Sequence, residues 1–97
     1  MANNPEMPTK LIMAVVPDDL AGAALDAFLQ AGCRVTRIAS TGGFLHTGST
    51  TLLAGVEAAR LGPALAAVRS ACQAAAKGEE RGKITVFVLD VTQSERL

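Results

Sequence analysis

An excess of charge of either sign is missing from this sequence: nine basic side chains stand against nine acidic ones, and no basic run stands out. A protein that grips nucleic-acid backbone carries an electrostatic footprint of that kind, so polymeric DNA and RNA are excluded as partners. Cysteine is nearly missing as well. Cys33 and Cys72 lie far apart without CxxC spacing, which removes a redox pair and a zinc site and leaves two packed thiols. The only histidine, His46, has no second histidine with which to form a metal-ligand pattern, so no metal or cofactor is expected. No apolar run reaches membrane-spanning length, and the opening MANNPEMPTK lacks the basic-then-apolar order of a signal peptide. A cytoplasmic protein without a membrane partner is the expectation.

What is present is apolar: hydrophobic residues make up 49% of the chain and charged ones 19%, far from the balance that keeps a segment disordered. The 97 residues suit one domain, and a chain this short buries only about 60% of its extended surface on folding. Help from self-association is therefore expected. Residues 1–9, with two asparagines and two prolines, have nothing to bury and read as a flexible leader, and residues 10–97 form the single domain.

Along the domain, LIMAVV at residues 11–16 is uninterrupted apolar sequence without helical period, short enough for a strand buried on both faces. Pro17, Asp18 and Asp19 then supply a helix start, with the aspartates read as caps at the positive end of the dipole. Leu20, Ala24, Leu25 and Phe28 follow at helical spacing, and Gly32 suits the left-handed residue after the helix end. CRVTRIAS at residues 33–40 reads as a second strand in which Val35 and Ile38 fall on opposite faces, through either a bulge or partial burial of both sides. TTLLAGV at residues 50–56 pairs with it as an antiparallel hairpin. Leu61, Leu65, Val68, Cys72 and Ala75 mark a second helix with Pro63 near its first turn. KGEERGK at residues 77–83 is a polar linker, and ITVFVLDV at residues 84–91 is the fourth strand.

The order strand, helix, strand, strand, helix, strand predicts the α+β class: a ferredoxin-like βαββαβ sandwich with a four-stranded antiparallel sheet and two helices on one face. The other face then has no cover. In the first strand Leu11, Met13 and Val15 point one way and Ile12, Ala14 and Val16 the other, yet all six are apolar. With no further segment to cover the second set, another copy of the chain is the expected cover, and the protein is expected to be an obligate oligomer.

Between the second and third strands, STGGFLHTGST at residues 40–50 gathers hydroxyls, glycines and His46. Its serines and threonines have neither a GxSxG elbow nor a base partner, so serine catalysis is not indicated. Gly42 and Gly43 allow close backbone approach to a ligand or a positive-φ turn, but the Gly-Lys-Ser/Thr of a P-loop is absent. Phe44, one of three aromatics in the chain, is either an exposed surface for stacking on a planar base or a side chain of the core. Arg34 and Thr36 share one strand face, where they either share a phosphate or are simply solvated.

CRVTRIASTGGFLHTGSTTLLAGVE, residues 33–57, resembles the signature of the PII-like cyclic di-AMP receptor family: an Arg-x-Thr strand running into Ala-Ser/Thr-Thr-Gly-Gly-Phe-Leu and then Gly-Asn-Thr-Thr. KLIMAVVPDD and GKITVFVLDV resemble the family's opening and closing strands. The resemblance implies a ferredoxin-like subunit in a PII-like trimer, with a nucleotide held between neighbouring subunits. It implies that Arg34 and Thr36 meet phosphate or ribose, that Gly43, Phe44 and Leu45 line an adenine, that Ser49 stands in the ligand-contacting position where the family has asparagine, and that Gly55 lets the ligand approach the third strand. It implies no catalysis. His46 stands where the family has arginine, Lys83 takes the second position of a Gly-Gly pair, Ser94 stands where an aromatic occurs, and the loop before the last strand is shortened to KGEERGK.

The expected function is a cytoplasmic PII-like signalling protein, not an enzyme, that binds cyclic di-AMP or a related nucleotide between subunits of a homotrimer and relays it to a protein partner. The alternative is a PII-like trimer that has lost dinucleotide binding and acts through protein contacts or another small anion. A hydrolase built on His46 and the loop hydroxyls lacks a base and an orienting partner.

Overall fold

The structure, a computed structural model, describes residues 9–38, 48–76 and 84–91. Its elements run β1 (Thr9–Pro17), α1 (Asp18–Gln30), β2 (Arg34–Ile38), β3 (Ser49–Glu57), a single 3-10 turn (Ala58–Arg60), α2 (Leu61–Ala75) and β4 (Thr85–Val91). The order is the one predicted. Thr9 already pairs with Glu57 and Val91, so ordered chain begins at least one residue before Lys10. The rest of the expected leader and the linker at residues 77–83 lie outside the described residues.

All pairings are antiparallel, in the order β2-β3-β1-β4. In-register pairing puts Ile12 beside Ala54 and Ala14 beside Leu52, and these four side chains are buried. Because side chains alternate across a strand, they mark the face on which the helices lie. From α1, Leu20, Ala21, Ala24, Ala27 and Phe28 enter this core, and from α2 Ala64, Val68 and Cys72, each four residues after the last. Phe28 is the largest fully buried side chain. Removing a ring of that size from a packed core costs about 3–5 kcal/mol.

The end of α1 is a Schellman motif. Gly32, at φ +86°, donates to the Leu29 carbonyl and Cys33 to the Phe28 carbonyl, each at 3.0 Å, and buried Cys33 closes over Phe28 as that motif's apolar contact. The expectation for Gly32 holds. The start of α1 corrects another: its N-cap is Pro17, without a side-chain capping bond, and Asp18 is engaged elsewhere.

β2 carries no bulge. Arg34, Thr36 and Ile38 pair in regular register with Gly55, Leu53 and Thr51, and neither reading left open at Val35 and Ile38 holds: Val35 is half-buried under the helices, while Ile38, like Arg34 and Thr36, is exposed on the other face. Among the described residues that face is bare of helices. Across it run the rows Arg34, Gly55, Leu11, Leu89; Thr36, Leu53, Met13, Phe87; and Ile38, Thr51, Val15, Thr85. Phe87 is 52% and Leu89 48% exposed, an uncovered apolar surface of the kind expected from the first strand.

Candidate functional site

The bare face positions the predicted site residues. Arg34 and Thr36 are exposed, and both lie on that side of β2, at the edge of the sheet. Gly55 stands directly across from Arg34. A Cβ added at Gly55 would meet nothing within 4 Å among the described residues, so their packing does not require a glycine there. On the same face the register continues from Gly55 to Leu11. A permanently charged, forked donor with a hydroxyl two residues on is suited to a phosphate oxygen pair.

Ser49 is the first residue of β3, half-buried, opposite Pro17. It points to the same face as Gly55 but six positions earlier, about 20 Å away along the strand. The structure thus brings Arg34, Thr36 and Gly55 together and holds Ser49 apart. Gly43, Phe44, Leu45 and His46 lie outside the described residues.

Two features were not legible in the sequence. Thr51, on the bare face between Val15 and Ile38, is only 3% exposed, and its Oγ1 has no hydrogen-bond partner among the described residues. Asp18, expected to cap a helix, accepts instead a hydrogen bond from the Thr50 hydroxyl at 2.5 Å. A pairing across 32 residues leaves no local signal, whereas a capping Asp does.

Cys33 and Cys72 are free and buried, as expected, and burial pushes both thiols up from their ordinary value, with Arg60 partly offsetting this at Cys33. They are packing residues without thiolate character. A cleft of about 330 Å³ opens between Phe28, Leu65 and Val68 on one side and Ile84 and Val86 on the other. It lies on the helix side and contains none of the predicted site residues. Among the described residues no helix is long and apolar enough to cross a membrane.

The family described as cyclic-di-AMP receptor matches residues 9–80. The chain belongs to the cyclic-di-AMP receptor family. That match takes in β1 to α2 and every predicted site residue. Among solved structures, a functionally unknown protein from Pediococcus pentosaceus ATCC 25745 shares 35% identity, with 94% of this chain and 99% of that one covered and a TM-score of 0.72. CPII, a nitrogen regulatory PII-like protein from Thiomonas intermedia K12 whose structure holds ADP, AMP and bicarbonate, shares 19% identity, with 93% and 97% covered and a TM-score of 0.66. At that identity the likeness concerns the fold, which is PII-like and ferredoxin-like, as predicted for a family member.

Proposed function

We propose that this protein is a cytoplasmic, non-catalytic sensor that assembles as a homotrimer through the bare sheet face and binds cyclic di-AMP, or a related adenine nucleotide, along the β2–β3 edge at the seam between subunits. Membership of the cyclic-di-AMP receptor family and a fold shared with a protein that binds ADP and AMP support the ligand class. The observation that carries the site is Arg34 facing Gly55 across a register pair with open space above the glycine. A residue whose side chain is missing for no reason of its own subunit's packing leaves room for something outside the subunit. Gly43, Phe44 and Leu45 would then flank one base. Binding reorders the site and changes the surface shown to a partner protein, which is how such a sensor relays its state.

Calorimetric titration of the full chain with cyclic di-AMP, cyclic di-GMP, AMP, ADP and ATP tests this reading. Micromolar or tighter binding of cyclic di-AMP is the expected result, with hydrolysis of none. A stronger response to AMP or ADP moves the ligand to the mononucleotides, and silence with all five overturns the reading. The second reading, a trimer without dinucleotide binding, rests on one observation: Ser49 has a hydroxyl where an amide able to pair with a base edge stands in the family's motif.

A further inference from the structure

The first turn of α1 is tied to the start of β3 by two bonds. The Asp18 amide, one of the helix's otherwise unpaired N–H groups, donates to the Gly48 carbonyl at 2.8 Å. The Thr50 hydroxyl donates to Asp18 Oδ1 at 2.5 Å. Thr50 is 4% exposed, so water has little access to its hydroxyl, and a charged acceptor makes this one of the stronger kinds of hydrogen bond. Gly48 sits at φ +87°, a left-handed turn that sets the direction in which β3 begins. Between these two anchored residues stands Ser49. Neither of its neighbours can shift without breaking a bond to Asp18.

We infer that Asp18 is a positioning residue: by holding Gly48 through its amide and Thr50 through its carboxylate, it fixes the backbone at Ser49 and so sets the affinity of the nucleotide site without touching the ligand. The inference deepens the nucleotide reading and rests on it. Asp19, adjacent and exposed like Asp18, carries the same charge at the same helix end but has no such bond to β3 among the described residues. The two carboxylates therefore separate a specific tie from a general dipole effect.

The test compares Asp18→Ala, Thr50→Val, Asp18→Asn and Asp19→Ala in full-length protein by cyclic di-AMP titration and by amide hydrogen exchange without ligand. Losing one charge-assisted hydrogen bond is expected to weaken binding about tenfold in Asp18→Ala and Thr50→Val. Asp18→Asn keeps a carbonyl acceptor for the Thr50 hydroxyl and is expected to stay within about threefold of wild type, as is Asp19→Ala. Exchange is expected to quicken at the amides of residues 18 and 50 in the first two variants while the β1–β3 amides at Ile12 and Ala54 stay protected. Unchanged affinity in Asp18→Ala and Thr50→Val with wild type binding normally overturns the inference, and so does unchanged exchange at residues 18 and 50. Equal weakening in Asp19→Ala overturns it in favour of a dipole effect. If wild type binds no nucleotide, the ligand reading fails by itself, and exchange alone then supports or overturns the tie.

Discussion

Thr51 has one hydroxyl, and among the described residues no hydrogen-bond partner meets it. A buried polar group without a partner costs about 1–3 kcal/mol relative to one in water, and replacing it with an apolar group of the same shape removes that cost. Thr51→Val is therefore expected to raise the stability of the protein by about 1 kcal/mol in denaturant unfolding. A loss of stability would mean that the hydroxyl bonds something outside the described residues, in this chain or in a neighbouring copy. Arg34 and Gly55 make the complementary case. Their chemistry, a fork-shaped cation and a missing side chain, is visible in the sequence, but only register pairing makes them one site. Sequence distance hides it because 21 positions separate them.

At the scale of elements, α1 shows how local chemistry specifies an end. Gly32 occupies the left-handed region and allows both bonds of the Schellman motif to form. A Cβ added there would come within 2.6 Å of Arg60 Nη1, but the end of a flexible side chain can swing away, so the backbone dihedral is the larger cost. Gly32→Ala is expected to destabilise the protein by about 1–2 kcal/mol, lowering the thermal midpoint by about 4–8 °C for each kcal/mol in a chain of this size. A variant melting with wild type would show that the turn relaxes. The start of the same helix shows the opposite. Two aspartates after a proline read as caps, yet the side chain of Asp18 reaches across to Thr50. Capping is the nearer use of an acid at a helix start, and a tertiary contact displaced it.

At the scale of the whole molecule, the sheet is apolar on both sides and has helices on only one. The row Thr36, Leu53, Met13, Phe87 crosses the bare face, and Phe87 is half exposed. If this face joins the copies, a lysine at Phe87 places a charge in the seam of every subunit, at a cost of several kcal/mol each. Phe87→Lys is expected to shift the light-scattering mass from three times the 10.0 kDa chain to one, with circular dichroism unchanged. A wild-type mass of one chain at micromolar concentration, or a trimer that survives the substitution, would remove the face from the assembly.

The periodicity of apolar residues by itself determined the element order and the surplus of apolar surface on β1, because each follows from spacing within a few residues; in α2 it found Val68 and Cys72 but not Ala64, and it counted Ala75, which is exposed. Gly32 was legible for the same reason, since a left-handed turn after a helix is a local demand. The sequence motif also placed the chain in its family. Only the tertiary structure decided that Arg34 faces Gly55, that Ser49 stands at the other end of β3, that β2 runs without a bulge, and that Asp18 holds Thr50. These depend on strand register and on contacts between residues distant in the chain. A shift of one residue in that register would turn every one of those side chains to the opposite face.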